Sequence, residues 1–198
     1  MLRPFFQEVQ PEAGCDEAGR GCLAGPVFAA AVVLPPKFSH PLLNDSKLLT
    51  AATREMLREV IEAEAVCYAV AQVDNEEIDR INILKASFKA MHLAVSELRH
   101  RPGLLLIDGN RFAPYPDIPH RCIIGGDGKY AAIAAASILA KTYRDRYMEA
   151  WHERYPQYHW KENKGYATLA HRRAILQHGI TPLHRRTFRQ LPEQPSLF

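Results

Sequence analysis

The segment PVFAAAVVL, residues 26–34, is apolar throughout, and Pro35-Pro36 follows it directly. Apolar and polar residues do not alternate in it, so a strand formed by this segment would need cover on both of its faces. A strand of that kind lies in the interior of a sheet that has helices on each side. The segment therefore predicts a layered protein in which helices cover a central sheet.

Helical and strand patterns alternate along the rest of the chain. Thr50 is placed to cap a helix over residues 50–63 whose apolar face carries Met56, Val60 and Ile61. Strands interleaved with helices indicate an α/β protein with a mixed sheet. The further predicted elements are helices over residues 74–101, 130–151 and 169–178 and strands over residues 66–73, 104–107 and 122–124.

Length and composition agree with one compact domain. The chain has 198 residues, 47% hydrophobic and 24% charged, which suffices for a core and excludes a disordered or fibrous protein. We expect one domain over residues 1–198, with a core over about 12–158, a basic helical region over 159–189 and an extended tail over 190–198. No apolar run of ~18 residues and no secretion signal is present, so we expect a soluble cytoplasmic protein without a membrane segment.

Several common kinds of site lack their residues here. The sequence contains no phosphate-binding G-x-x-x-x-G-K-[ST] loop, no G-x-G-x-x-G, no H-E-x-x-H and no G-x-S-x-G. Cys15, Cys22, Cys67 and Cys122 lie among apolar or glycine residues without the spacing of a zinc site or a disulfide framework. We therefore expect these cysteines to be small buried hydrophobic residues.

The net charge of +3 hides an uneven distribution. Residues 160–189 hold seven of the 25 bases and one of the 22 acids, a charge of +6, and the rest of the chain is left with 18 bases and 21 acids. A basic C-terminal region on a mildly acidic body suggests a polyanionic partner. A basic surface that is simply solvated is an equally open interpretation of the charge alone.

Four acidic residues lie in or directly after predicted strands, where an unpaired carboxylate is costly. If neighbouring strands bring them together, they form a set of hard oxygen ligands suited to Mg²⁺ or Mn²⁺. Two such ions would stabilise the attacking and the leaving oxygen in phosphodiester hydrolysis. Each acid taken singly could instead cap a helix, lie in a turn or pair with a base. The four residues are Asp16, Glu17, Asp108 and Asp127.

A glycine-rich turn, Gly19-Arg20-Gly21, follows Asp16 and Glu17 directly. Its two glycines permit a tight turn and a close approach to a substrate, and the arginine between them can contact phosphate. By itself the tripeptide is typical of an ordinary turn. Its position beside the acidic pair favours a contact with substrate.

Six ordered motifs resemble those of the bacterial type 2 ribonucleases H over about residues 12–189. They are DEAGRG (16–21) with LAGPV (23–27), NDSK (44–47), IDGN (107–110), GDGK (126–129), AAASILAK (134–141) with Arg144-Asp145, and NKGY (163–166). The resemblance implies a ribonuclease H-like fold, with a central mixed sheet flanked by helices and a small C-terminal helical extension. It also implies a role in removing ribonucleotides from DNA.

The activity that the resemblance implies is Mg²⁺- or Mn²⁺-dependent cutting of the RNA strand of RNA–DNA hybrids. Single ribonucleotides embedded in duplex DNA are included, with cleavage on their 5′ side leaving 3′-hydroxyl and 5′-phosphate ends. The family's metal-binding and catalytic carboxylates match Asp16, Glu17, Asp108 and Asp127. Its turn that senses the 2′-hydroxyl, the group that distinguishes RNA from DNA, matches Gly19, Arg20 and Gly21, and its tyrosine beside the sugar matches Tyr166.

Four basic residues in the matching motifs are further candidates for substrate binding: Lys47, Lys141, Arg144 and Lys164. Lys47 resembles a lysine near the scissile phosphate, although a solvated loop lysine is the alternative. Lys141 and Arg144 share a predicted helix and could instead form a structural face of it. In the same helix we expect Asp145 to form a structural ion pair and Ser137 to be a packing residue.

The last five residues, Gln194-Pro195-Ser196-Leu197-Phe198, resemble the Q-x-x-L-F peptides that dock on the bacterial sliding clamp. A short tail that ends in Leu-Phe can fill an apolar pocket, so a clamp is a candidate partner beside the nucleic acid. We otherwise expect a monomer. Two alternatives stay open: a non-catalytic nucleic-acid-binding module of the same fold, and the related type 3 ribonuclease H. The type 3 enzyme carries an extra N-terminal domain, which we do not expect in the few residues before Asp16.

Overall fold

The computed structural model describes residues 2–7 and 11–191, so the tail motif at 194–198 lies outside the described residues. Single-turn 3₁₀ segments at Ser46–Leu48, Gly126–Gly128 and Pro156–Tyr158 supplement the strands and helices. The main elements are β1 (Glu12–Ala18), β2 (Val27–Val33), α1 (Ala51–Glu64), β3 (Cys67–Val73), α2 (Asn75–Ile81), α3 (Ile83–Ser96), β4 (Leu104–Asp108), β5 (His120–Ile123), α4 (Ala131–His152), α5 (Trp160–Asn163) and α6 (Leu169–His178).

The five strands form one sheet in the order β3-β2-β1-β4-β5. β1 and β3 both run antiparallel to β2, whereas β4 runs parallel to β1 and to β5. This confirms the predicted mixed sheet flanked by helices. Because β1 and β4 run in the same direction, with Cys15 opposite Ile107, their C-terminal ends lie at the same edge of the sheet.

Helices cover both faces of the sheet, as the apolar segment 26–34 predicts. In β2, Ala29 and Ala31 belong to the core shared with α3, while Ala30 and Val32 belong to the core shared with α1 and α4. Every residue of β2 is buried. Successive side chains of a strand point to opposite faces, so this one strand contributes to two separate cores.

The long helix α4 lies unusually close to β1. An ideal Cβ built on Gly14 would lie 2.1 Å from the carbonyl carbon of Ala132, which is a main-chain atom of α4. The alanines that follow, Ala134, Ala135 and Ala136, are fully buried in the core between α4 and the sheet. Small residues on both elements therefore set the distance between the strand and the helix.

The structure corrects three sequence predictions about helix bounds and burial. The helix expected over 74–101 is two helices, because Asn82 adopts a φ of 71°, ends α2 and caps α3 by accepting from the Lys85 N–H. The buried face of α1 carries Leu57 and Ile61, and Met56 is exposed. Cys122 is exposed on the edge strand β5, whereas the other three cysteines are buried as expected.

The C-terminal region packs on the connection between β1 and β2. The N–H of Leu23 donates to the Gly165 carbonyl, and the N–H of Gly25 donates to the Leu183 carbonyl. Met148 of α4 and Trp160 are fully buried in the small core between these segments. No helix among the described residues is long and apolar enough to cross a membrane.

We predict that Gly14→Ala lowers the free energy of unfolding by about 3 kcal/mol, because the new methyl group would overlap the main chain of α4. The matched control is Gly128→Ala, where an added Cβ has no heavy atom within 4 Å and φ is not positive. Its effect should stay within about 1 kcal/mol. Urea unfolding of the three proteins measures the difference, and equal loss of stability in the two variants would contradict the close approach at Gly14.

Candidate active site

Three aspartates from separate parts of the chain meet at one edge of the sheet. Asp16 lies in β1, Asp108 ends β4, and Asp127 lies in the 3₁₀ turn at Gly126–Gly128 after β5. One carboxylate oxygen of each lies within 4.8 Å of the others. Asp16 and Asp127 are buried, and Asp108 is partly exposed. The parallel pairing of β1 with β4 and of β4 with β5 produces this grouping.

Main-chain amides hold the three carboxylates in place. Oδ1 of Asp16 accepts from the Glu17 N–H at 2.7 Å, and Oδ1 of Asp108 accepts from the Gly126 N–H at 2.7 Å. Oδ1 of Asp127 accepts from the Gly128 N–H at 3.0 Å. Each carboxylate is therefore oriented by at least one main-chain amide.

Few positive charges balance this cluster. Burial raises the pKa of Asp16, and the negative charges of Glu17 and Asp108 raise it further. Burial also raises the pKa of Asp108. Close carboxylates with raised pKa values are held ionised together by a nearby cation. Three carboxylates whose oxygens lie within 4.8 Å of one another fit a hard divalent cation such as Mg²⁺ or Mn²⁺.

Glu17 is set apart from the three aspartates. Because side chains alternate along a strand, Glu17 points to the face of the sheet opposite to Asp16. Its Oε1 accepts from Arg20 at 3.0 Å. Together with Asp108, Glu17 lines a neighbouring cavity of about 290 Å³ whose apolar wall includes Phe88. The predicted four-acid set is thus a group of three with the fourth acid at its border.

Lys47 faces the cluster from the 3₁₀ turn at Ser46–Leu48. Its Nζ lies 3.1 Å from Oδ2 of Asp127, and its side chain is 73% exposed. The Ser46 and Ser137 hydroxyls are hydrogen-bonded at 2.8 Å, which fixes this turn to α4. The Ser137 hydroxyl also lowers the pKa of Asp16, so Ser137 has a polar role beside the packing predicted from the sequence. Lys47 therefore combines contact with the cluster and access to solvent.

The Gly19-Arg20-Gly21 turn follows β1 beside the cluster. Gly19 has a φ of 97°, and a Cβ there would lie 2.0 Å from Nε of Arg144. The Arg20 side chain is about half exposed, and a Cβ on Gly21 would face open space. The turn is packed against the protein on its inner side and open on its outer side.

Tyr166 lies next to the same turn. An isolated bridge pairs it with Cys22, and its side chain is partly exposed. Lys141 Nζ is 5.7 Å from the centre of its ring, and the Arg144 guanidinium is 5.8 Å away. Two cations from α4 therefore lie over the Tyr166 ring.

A buried hydrogen-bond network holds the main chain of Tyr166, and the sequence did not predict it. The carbonyl of Tyr166 accepts from Nδ1 of His171 at 2.9 Å, so Nε2 of His171 accepts from Nε1 of Trp160 at 3.0 Å. Nε2 of His184 lies 3.2 Å from Nε2 of His171. Burial lowers the pKa of His184 to about 4, which keeps this imidazole neutral at physiological pH.

The remaining basic candidates differ in how accessible they are. Arg144 is fully buried and all three of its hydrogen bonds reach main-chain carbonyls, so the predicted direct contact with substrate gives way to a structural role. Lys141 pairs with Asp145 at 2.5 Å, in line with the ion pair expected for Asp145. Lys164 pairs with Glu149. Lys141 and Lys164 both line a groove of about 690 Å³ between α1, α4 and α5.

The basic C-terminal region is only partly a surface feature. Arg185 is fully buried, and its side chain donates to the carbonyls of Gly19, Arg20 and Gly25. A sequence pattern does not show which base of a cluster points inward, because Arg185 and its exposed neighbour Arg186 are the same residue type. The charge available to a polyanionic partner is therefore smaller than +6 by one unit.

Comparisons with known proteins agree on one family. The family model described as ribonuclease HII matches residues 13–191. A protein named ribonuclease HII from Parabacteroides distasonis is 64% identical over 197 residues, covering 100% of this chain and 99% of the relative. A protein of the same name from Bacteroides thetaiotaomicron is 64% identical over 191 residues, covering 96% of each.

Two solved structures have a similar fold. The ribonuclease H2 of Pyrococcus horikoshii has a TM-score of 0.74 and 28% identity, covering 90% of this chain and 94% of that one. A complex of PCNA with ribonuclease HII from Archaeoglobus fulgidus has a TM-score of 0.74 and 27% identity, covering 94% of this chain and 98% of that one. Both similarities cover 90% or more of this chain.

Proposed function

The chain belongs to the ribonuclease HII family and is a type 2 ribonuclease H, and on that premise we propose its reaction and its site. It hydrolyses the RNA strand of RNA–DNA hybrids and cuts on the 5′ side of a single ribonucleotide embedded in duplex DNA. The products carry a 3′-hydroxyl and a 5′-phosphate. The observation that carries this proposal is the grouping of Asp16, Asp108 and Asp127 within 4.8 Å, beside the Gly19-Arg20-Gly21 turn.

Asp16, Asp108 and Asp127 would hold Mg²⁺ or Mn²⁺, with Glu17 at the border of the same site. A bound divalent ion supplies Lewis-acid stabilisation of the charge that develops on the phosphodiester oxygens. The main-chain amides of Glu17, Gly126 and Gly128 orient the carboxylates before any ion binds. This preorganisation reduces the rearrangement that binding requires.

Lys47 contributes a positive charge at the entrance to the cluster. Its Nζ contacts Asp127 and remains largely exposed to solvent, so it can reach a phosphate oxygen without leaving the site. An ammonium group on a flexible stem suits contact with a phosphate as a point charge. We therefore assign Lys47 to the scissile phosphate.

Recognition of the ribose falls to the Gly19-Arg20-Gly21 turn and to Tyr166. The open side of the turn offers main-chain amides and the Arg20 guanidinium to the 2′-hydroxyl and the adjoining phosphate. The partly exposed ring of Tyr166 offers a flat surface for the sugar. Lys141 and Lys164 border the groove that continues from this point along α4, which suits contacts with the phosphate backbone.

We predict that Asp108→Asn lowers the rate of cleavage at a single ribonucleotide by more than about 100-fold, because it removes a metal ligand. Chelation of divalent ions by EDTA should stop the wild-type enzyme as well. The control is Glu64→Gln, which neutralises an exposed acid at the end of α1. Gel-based cleavage assays in Mg²⁺ and in Mn²⁺ measure both effects. Binding of the duplex without metal-dependent nicking by the wild-type protein would favour the non-catalytic module instead.

Tyr166→Ala should lower kcat/KM at a single embedded ribonucleotide by about 10-fold, which corresponds to about 1.4 kcal/mol, because the sugar loses its contact with the ring. Tyr166→Phe keeps the ring and should retain most of the activity. Cleavage of a long RNA–DNA hybrid by Tyr166→Ala should fall less, because more contacts hold that substrate. Thermal unfolding checks that both variants are folded. An unchanged rate at the single ribonucleotide would remove Tyr166 from the site.

We also propose that residues Gln194 to Phe198 dock on the bacterial sliding clamp. The motif supports this, as does the A. fulgidus ribonuclease HII structure, which is a complex with PCNA. Removal of these five residues should abolish retention by immobilised clamp and leave cleavage of short duplexes unchanged. Replacement of Leu197 and Phe198 by alanine should act like the deletion. Equal retention of the full-length and shortened proteins would reject the contact.

A further inference from the structure

The connection between β1 and β2 has its carbonyl groups turned inward onto two arginines. Arg185 donates through Nη2 to the Gly19 carbonyl at 2.7 Å, through Nη1 to Arg20 at 2.9 Å and through Nε to Gly25 at 3.0 Å. Arg144 donates to the carbonyls of Ala24 and Pro26, each at 3.1 Å, and to that of Lys164 at 2.8 Å. Five carbonyls of one short connection are thus bound by two guanidinium groups.

Both guanidinium groups are fully buried. Within residues 2–7 and 11–191, neither forms an ion pair with an aspartate or glutamate. Burial lowers the pKa of Arg185 to about 10, so the group is still charged at neutral pH. The main-chain carbonyls compensate this buried charge, together with the Phe188 ring 5.0 Å from the guanidinium and the negative charge of Asp79, which raises the pKa of Arg185. Loss of these hydrogen bonds would leave a buried charge uncompensated, so they restrict the conformations that the connection between β1 and β2 can adopt.

The position of Arg185 has a direct effect on the Gly19-Arg20-Gly21 turn. With the carbonyls of Gly19 and Arg20 directed at Arg185, the amide N–H groups of Arg20 and Gly21 donate to no acceptor in the described part of the chain. Those donors remain available on the open side of the turn, where the 2′-hydroxyl is proposed to bind. A planar guanidinium has donors in fixed directions, so it fixes the orientation of successive peptide groups in a way that a lysine cannot.

We propose that Arg185 is a positioning residue for ribonucleotide recognition, which it achieves by holding the Gly19 and Arg20 carbonyls inward. It does not touch the substrate. Arg144 holds the second half of the same connection, at Ala24 and Pro26, and so supports the turn less directly. This inference rests on the proposed function, because it deepens the role of the turn as the sensor of the 2′-hydroxyl.

A purely structural role for Arg185 makes a different prediction. If Arg185 only stabilised the fold, its substitution would reduce the folded fraction and weaken binding to all nucleic acids by the same factor. A positioning role changes the ratio between two substrates that differ only in one 2′-hydroxyl group. The discriminating measurement is therefore a ratio of affinities.

The experiment uses the cleavage-deficient Asp108→Asn protein in Mg²⁺ and two duplexes of identical sequence, one with a single ribonucleotide and one entirely of DNA. Arg185→Lys is added to this protein because it keeps the charge and loses the fork of donors. The matched control is Ile175→Ala, which removes a buried side chain from the same C-terminal core without a hydrogen bond to the turn. Dissociation constants come from fluorescence anisotropy.

We expect the Asp108→Asn protein to prefer the ribonucleotide duplex, and Arg185→Lys to reduce that preference at least fivefold. Ile175→Ala should leave the ratio unchanged. An unchanged ratio in Arg185→Lys, or an equal fall in Ile175→Ala, would overturn the inference. If the wild-type enzyme fails to cut and the Asp108→Asn protein shows no preference, the proposed function is wrong. If both behave as expected and Arg185→Lys leaves the ratio of affinities unchanged, only the inference about Arg185 is wrong.

Should Arg185→Lys not fold, a milder variant decides the question. Asp79 accepts hydrogen bonds from the N–H groups of Arg186 and Thr187 and so holds the segment that carries Arg185 from outside. Asp79→Asn should lower the ribonucleotide preference about twofold in the same direction. No change in the ratio with this folded variant would count as overturning the inference.

Discussion

The close contact between β1 and α4 at Gly14 is the constraint on which the rest of the site depends. Because Gly14 has no side chain, the main chain of α4 lies directly against the strand that carries Asp16. The helix then brings Ser137 to Asp16, and one and two turns later it places Lys141 and Arg144 beneath Tyr166. A single helix therefore connects the carboxylate cluster to the segment proposed to recognise the sugar.

The polarity of the sheet provides the other half of the arrangement. Parallel pairing puts the ends of β1 and β4 at one edge, where Asp16 and Asp108 meet although more than ninety residues separate them. Asp127 joins them through the turn after β5. Gathering carboxylates in this way opposes stability, as the raised pKa values of Asp16 and Asp108 indicate, and a bound divalent cation offsets that cost. Binding of metal and stability of the fold are therefore linked.

The sequence predicts those features that follow from local patterns. The buried strand at 26–34 and the helix at 169–178 are confirmed, since unbroken apolar runs and clear caps depend on neighbouring residues alone. The motifs also identify four acids, three of which the fold brings together. The direction in which a side chain points depends on packing between distant elements, which the sequence does not show. Met56 is therefore exposed and Arg144 buried against prediction, and the contacts of Arg185 with main-chain carbonyls were not predicted. The break at Asn82 was not predicted either, although asparagine favours caps over helix interiors, because the apolar spacing that predicts the helix does not show a change in the backbone at one residue.

We propose that Asp16, Asp108 and Asp127 form one divalent-cation site, with Glu17 at its border. Binding of Mn²⁺ to the protein without nucleic acid, followed by electron paramagnetic resonance of the free ion, tests this directly. The account predicts that Asn at any one of the three aspartate positions weakens binding at least about 10-fold, and that Glu17→Gln weakens it less. Equal Mn²⁺ affinity in the wild-type protein and in all three aspartate variants would contradict the account.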